Sequence, residues 1–305
     1  MPITKLNPKL WAIALQVAVL LLVISLLWGA GRNLSQNLTQ LGLQLDFDFL
    51  GQQASFNIRE APIPYQPTDP YRQAILVGLL NTLRAAIACI AISTVLGTVI
   101  GIARLANNWL IRQLATLYIE VLRNTPLLSQ LVFWYTAVFL SLPSQPHETL
   151  WGMALISQSG IIIPALNANL SAEFCALVIG LSLFSATFIA EIWRGSILSV
   201  NRGQIEAGKA LGLSGWQNLA LIILPQALRA MLPPLTSQYL NILKNSSLAI
   251  ATGFEDLYAI SSEILNQTGR PVNVILLVML IYLVLDLAIA LGMNWLNHRL
   301  RIVQR

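Results

Sequence analysis

The chain has 305 residues, 56% of them hydrophobic and only 10% charged, with a mean hydropathy of +0.67. Soluble domains carry about 25% charged residues, so this chain cannot keep its surface in water and reads as an all-α polytopic membrane protein. The net charge of +5 is spread along the sequence without a basic cluster, which excludes a nucleic-acid-binding surface and fits the positive flanks of membrane spans.

The first apolar segment, Trp11 to Ala30, is long enough for one bilayer crossing. Its length and its run into Arg32-Asn33 favour a retained anchor, residues 1–31, over a cleaved signal peptide. The polar stretch 32–71 follows, with Asp46, Asp48, Arg59, Glu60 and Asp69 and with Pro62, Pro64, Pro67 and Pro70. That proline spacing predicts extended, turn-rich backbone that lipid would not tolerate, so 32–71 is expected to be an extramembrane, periplasmic loop ordered against the span ends.

Ala74 to Ala103 predicts a long helix, with Gly97 and Gly101 four residues apart as a close-packing pair. Leu114 to Leu140 predicts the next crossing, interrupted at Arg123-Asn124-Thr125-Pro126. Trp151 to Ile163 is too short to cross and is expected to be an interfacial helix. Ala172 to Trp193 and Leu219 to Leu248 predict two further spans, the second forced by Pro225, Pro233 and Pro234 to bend or begin late. Ala249 to Leu265 reads as a partial or re-entrant turn and Val272 to Leu296 as the last span, which makes six crossings. Cys89 and Cys175 fall in apolar segments as small packing residues. His147 and His298 are far apart and form no metal motif.

Lys and Arg beside the spans set the orientation. With the N-terminus in the cytoplasm, that side holds Lys5, Lys9, Arg104, Arg112, Arg194, Arg202, Lys209, Arg299, Arg301 and Arg305. The outer side holds only Arg32, Arg59, Arg72 and Arg270. Both termini are therefore expected inside, as is the loop 194–218.

That loop predicts a short helix. Ala207, Ala210 and Leu211 share an apolar side, Glu206 and Lys209 are spaced to pair, Gly212 suits a left-handed stop and Ser214 suits a cap for the next helix near Trp216. Gly203 to Ala210 has the glycine and lysine spacing of a phosphate loop, but Ala210 stands where magnesium needs a hydroxyl. A helix this short is not stable alone and must lie on the membrane or dock into something.

The pattern Glu206-Ala207-Gly208, Gly212, Ile222-Ile223-Leu224-Pro225 resembles the EAA loop of permease subunits of ABC importers, although Gly208 stands where that family usually has Ala. Val77 to Leu83, Glu120 to Leu128, Glu191 to Gly195 and Lys244 to Leu248 resemble the polar amino-acid branch, and Arg59 to Tyr65 is similar to the general L-amino-acid permeases. The resemblance implies a type I ABC importer permease fold over 72–298, a coupling helix at 202–213 and a cytoplasmic tail at 299–305. It implies ATPase coupling through Glu206, Ala207, Gly208, Leu211 and Gly212. It also implies a non-catalytic subunit in a bacterial inner membrane, embedded in lipid, beside cytoplasmic ATPase subunits that bind the ATP and magnesium. A second, related but different permease and a periplasmic amino-acid-binding protein complete the implied assembly, and no cofactor is expected in this chain.

Polar residues inside the bilayer mark pathways. Ser237, Asn241 and Asn245 fall on one helix face, flanked by Gln238 and Lys244, with Ser182 and Ser185 on another span expected opposite. The stripe reads either as a substrate path or as inter-helix hydrogen bonding. Lys244 is expected to meet a substrate carboxylate or to pair with Glu255 or Asp256. In relatives that carry basic amino acids an acidic residue is expected at the position of Gln238 and an amide near Phe184, so neutral Gln238 and bulky Phe184 imply neutral or broad specificity, or that the partner permease holds the main site. Glu120 with Arg123, and Glu191 with Arg194, are expected to pair locally, and Asp286 to bond to a neighbouring helix. The alternative is a self-sufficient secondary amino-acid transporter with Asp286 as its coupling-ion residue.

Overall fold

The computed structural model describes residues 8–40, 46–149 and 154–299. Five helices are long and apolar enough to cross a membrane, and a shorter apolar stretch, Leu127–Ser141, accompanies them. That is an all-α membrane bundle of about six spans. Lys5, Trp151, Arg301 and Arg305 lie outside the described residues.

Helix α1 runs Pro8–Gln40 and contains the expected anchor, but it does not stop there. Residues 32–40, expected to open the loop, continue the helix. They carry no proline, and two side-chain hydrogen bonds close on the helix itself: Asn37 donates to Asn33 Oδ1 (3.0 Å) and Thr39 to the Ser35 carbonyl (2.8 Å). Non-helical backbone begins only later. From Asp46 to Pro70 the chain forms a strap. A 3₁₀ turn at Asp48–Gly51 seats Phe49, which is 1% exposed against Tyr71, Leu257, Ile264 and Val274. The strap is pinned by Arg270 pairing with Asp46 and by a bridge between Gln53 and Pro70.

Helix α2 (Tyr71–Arg104) and helix α5 (Ala172–Leu198) form the central pair. A Cβ on Gly97 would stand 2.6 Å from Ile189 Cβ, and one on Gly101 2.7 Å from Trp193 Cβ, so the two glycines set how closely the helices approach. Between them lie α3 (Trp109–Arg123) and α4 (Leu127–Phe133), divided at the expected break, then a π turn at Trp134–Val138 and a 3₁₀ turn at Phe139–Ser141.

The expected interfacial helix at 151–163 is absent from its described part, 154–163. There the chain forms an antiparallel meander: β1 (His147–Thr149), β2 (Ala154–Ser157), β3 (Gly160–Ile163) and β4 (Ala168–Ser171). Ile156 and the run Ile161-Ile162-Ile163 suit strands. Gly160 (φ +131°) and Asn167 (φ +47°) supply the left-handed corners that a helix cannot hold.

After α5 come α6 (Arg202–Ala210) and α7 (Gly215–Asn218), then a π turn at Leu219–Ile223 and helix α8 (Leu224–Asn245). From Gly215 to Thr252 this is one continuous helical span of 38 residues. The wide turn ends just before Pro225, while Pro233 and Pro234 stay inside α8. The expected re-entrant turn resolves into a 3₁₀ turn (Ser246–Thr252), a left-handed Gly253 and a full helix α9 (Leu257–Thr268). Helix α10 (Pro271–Arg299) closes the bundle.

Candidate functional site

Between α5 and α8 the loop is organised by its own side chains. Asn201 Oδ1 accepts the Gly203 N–H (2.8 Å) to start α6. Gly212 takes φ +80°, and the Leu213 N–H turns back to the Gly208 carbonyl (3.1 Å). Ser214 and Gln217 form a reciprocal capping box for α7. The phosphate-loop spacing Gly203 to Ala210 lies inside α6, so its amides are spent on the helix and cradle nothing. Ala207, Ala210 and Leu211 face outward, and Leu211 and Trp216 are 82% and 74% exposed. Glu206 and Lys209 form no ion pair among the described residues. Gly208 stands on the packed side of the helix. It is buried, with a Cβ position 2.6 Å from Ile222 Cδ1, and Asn218 Nδ2 beside it donates to the Ile205 carbonyl (2.8 Å). The glycine lets α6 lie against the turn that leads into α8.

Inside the bundle the predicted stripe on α8 divides. Ser237 and Asn241 are exposed and Asn245 is half-buried. Ser237 borders a cavity of about 280 Å³ shared with Ala290, Met293 and Asn294 of α10. Gln238 borders a second cavity of about 350 Å³ with Arg123, Phe188, Glu191, Ser196 and Pro234. Lys244 does not reach Glu255 or Asp256. It pairs with Asp286 of α10 at 3.1 Å, which also gives Asp286 its partner on a neighbouring helix. Ser182 and Ser185 are buried in the packing of α5, 1% and 0% exposed. Phe184 packs edge-on against Phe188 with centroids 5.1 Å apart. Arg123 does not pair with Glu120; its guanidinium lies over the Phe188 ring at 4.6 Å. Glu191 does take Arg194 (3.1 Å), as expected, and also Arg104 from α2.

Residues 93–302 match the family of binding-protein-dependent transport system inner membrane components. The chain belongs to this family. It is 34% identical to the general L-amino acid transport system permease protein AapQ of Rhizobium johnstonii, over 98% of this chain and 94% of that protein. It is 35% identical to the amino-acid ABC transporter permease protein YhdX of Escherichia coli, described there as putative, over 98% and 96%. Among solved structures, an amino acid ABC transporter with histidines matches at TM-score 0.61 and 27% identity, over 75% of this chain and 95% of that one. A methionine ABC transporter, MetNI, matches at TM-score 0.55 and 17% identity over 76% of this chain, a likeness of fold.

At the end of this transport component opposite α6, the motif Val77 to Leu83 has a physical role that the sequence did not disclose. Asn81 Nδ2 donates to the carbonyls of Glu60 (2.8 Å) and Glu255 (2.9 Å), and Thr82 Oγ1 accepts the Leu257 N–H (3.0 Å). Two adjacent side chains of α2 therefore clamp the strap and the turn before α9. A Cβ on Gly78 would stand 2.9 Å from Leu257 Cα, so only glycine lets that turn sit so close. Asp256 caps α9, accepting the Ala259 N–H at 2.9 Å, and its burial pushes the carboxyl up to about 7. Burial raises Glu255 too, opposed by the Arg59 N–H at 2.6 Å and the Arg59 charge. Arg84 pairs with Glu60 and stacks over Phe174 at 4.9 Å; Arg59 reaches Glu173 at 3.1 Å. The partners of Asn81 lie 21 and 174 residues away, beyond what local spacing reveals.

Proposed function

We propose that this chain is the non-catalytic permease subunit of an ATP-driven importer for L-amino acids of neutral or broad range. In this reading both termini and α6 are cytoplasmic. ATPase subunits there bind ATP and magnesium and dock on α6, a second related permease completes the pore, and a periplasmic binding protein delivers the substrate. Glu206, Ala207, Leu211 and Gly212 form the coupling surface, Gly208 seats it against the turn that leads into α8, and the polar face of α8 lies along the path.

One observation carries the reading. The apolar side of α6 is open, with Leu211 82% exposed, yet the loop is fixed at both ends by caps and a left-handed glycine and is joined through α7 to an unbroken helix reaching Thr252. A rigid, uncovered apolar knob at the end of a continuous helix transmits an external push into the bundle. Alternate access follows if the ATP-bound state of the partner binds one of the two conformations better.

The test is reconstitution of the chain with its ATPase, second permease and binding protein in liposomes. Amino-acid uptake is expected only with ATP and binding protein together, and Gly212→Val is expected to lower uptake while ATP hydrolysis continues. Uptake by the chain alone, driven by an ion gradient without ATP, would establish the secondary-transporter alternative instead.

A further inference from the structure

The backbone carbonyls at the break between α3 and α4 are covered by two local side chains. Gln130 Nε2 donates to the Leu122 carbonyl (2.7 Å) and to the Thr125 carbonyl (3.2 Å), and the Thr125 hydroxyl donates to the Val121 and Leu122 carbonyls. The carbonyls freed by the break are thus covered by local side chains. Arg123, the last residue of α3, is left facing outward into the cavity of about 350 Å³.

Neither Glu120 on α3 nor Glu191 on α5 pairs with that arginine. Glu191 is taken by both Arg104 and Arg194. Among the described residues no carboxylate lies within ion-pair distance of Arg123, which rests one flat face on Phe188 at 4.6 Å. A guanidinium stacked by its face keeps its N–H edge available for a planar, two-oxygen acceptor. The rest of the cavity offers no competing charge: Pro234 and Ile192 are apolar, Gln238 is a neutral amide and the Glu191 carboxylate is already engaged. Discontinuous helices with unpaired polar groups are where transporters hold small ions and zwitterions. Ser196 also lines the cavity, six residues before α6 begins, so the cavity adjoins the coupling loop.

We propose that Arg123 holds the α-carboxylate of the transported amino acid in a subsite formed with Phe188, Pro234 and Gln238, beside the coupling loop. The inference rests on the amino-acid importer reading and deepens it. The subsite reads the carboxylate with a full charge and the ammonium only with the Gln238 amide. It therefore discriminates strongly against substrates whose carboxylate is masked, and weakly among side chains. Phe184 supports the subsite from behind through its edge contact with Phe188.

The test uses the whole complex in nanodiscs, without nucleotide or binding protein. The probe is whichever of L-leucine, L-glutamine and L-alanine shows the highest ATP-dependent uptake, in radiolabelled form. Arg123→Gln is expected to weaken its binding by about 10- to 100-fold, the range for losing charge-assisted hydrogen bonds. Arg123→Lys, which keeps the charge without the fork, is expected to fall between. The wild-type complex is expected to bind the corresponding amino-acid amide more weakly by a similar factor, and Arg123→Gln to abolish that preference. Wild-type affinity with an undiminished preference in Arg123→Gln overturns the proposal. So does an effect of the substitution seen in phosphatidylglycerol discs but absent in phosphatidylcholine discs, which would make Arg123 a lipid-phosphate ligand. The amide comparison on the wild type needs no variant to fold. If the wild-type complex takes up none of the three amino acids, the importer reading fails and the subsite with it; normal uptake with Arg123→Gln unaffected sinks the subsite alone.

Discussion

Lys244 and Asp286 show how a single intramembrane charge finds its partner. Asp286 is 21% exposed on its side chain, Lys244 56%, and Asp286 Oδ1 is buried without a hydrogen bond, leaving Oδ2 to the ammonium at 3.1 Å. Breaking such a pair costs more than the pair contributes, because the abandoned charge stays desolvated. Lys244→Ala is therefore expected to lower stability by about 1–3 kcal/mol, less than the full cost of a buried pair because the lysine is more than half exposed. Lys244→Ala with Asp286→Ala is expected to recover most of the loss; thermal unfolding of the solubilised complex measures both, and a double variant less stable than the single one contradicts the account. Asp256 gives a second, titratable test. Its carboxyl is raised from 3.8 to about 7 by burial, so the fold keeps a proton that the unfolded chain gives up. The stability tied to that proton is complete below the unfolded value and disappears as pH rises through about 7. Asp256→Asn keeps the cap on α9 and removes the titration. The wild-type unfolding midpoint is expected to fall relative to Asp256→Asn as pH climbs from about 5 to about 8, and parallel curves across that range would rule the effect out.

At the scale of elements, the pairing of α2 with α5 rests on Gly97 and Gly101. Gly97→Val would drive a Cβ to 2.6 Å from Ile189 Cβ and 2.9 Å from the Ala186 carbonyl. Backbone has to move, and a loss of about 1–3 kcal/mol is expected from overpacking. Gly292→Ala on α10 meets nothing within 4 Å and is expected to be neutral or slightly stabilising; equal unfolding midpoints for the two variants would contradict the packing argument. The glycine pair was legible because its four-residue spacing is itself the contact geometry. So was the break at Asn124–Pro126, since proline removes a donor wherever it stands. The meander at 147–171 was not legible as strands, because a short apolar run with isoleucines satisfies either period and only the corners at Gly160 and Asn167 decide it. The site was legible in part. The loop α6 announced itself through local caps and stops. The division of the α8 stripe did not, because Ser237 and Gln238 are sequence neighbours facing different helices, and the partner of Lys244 sits on α10, a helix that no local period connects to it.

At the scale of the whole molecule, one long helix stands apart from the bundle. The apolar window of α1 is 0% buried. Its 33 residues make a helix about 50 Å long, well beyond the roughly 30 Å hydrocarbon core, and its far end carries the polar run Arg32 to Gln40. The strap that follows is the opposite case. Phe49 and Ala54 are buried at 1% and 0%, and Asp46, Arg59 and Glu60 tie it to Asn273 of α10, Glu173 of α5 and Arg84 of α2. Apolar burial stabilises at about 25 cal/mol per Å², so a helix that buries nothing adds nothing to the stability of its own bundle, whereas the strap holds the ends of several spans together. A protease site placed between Asn33 and Gln40, cut after membrane insertion, separates α1 without disturbing how the other spans insert. The unfolding midpoint of the cut chain is expected to match that of the intact one, and α1 is expected to leave it during size-exclusion chromatography in detergent. Replacing Phe49 by Ala is expected to lower the same midpoint by about 3–5 kcal/mol of stability, as for other buried phenylalanines. An α1 fragment that stays bound to the isolated chain, or a Phe49→Ala variant as stable as the wild type, would show that the division between a free anchor and a structural strap is wrong.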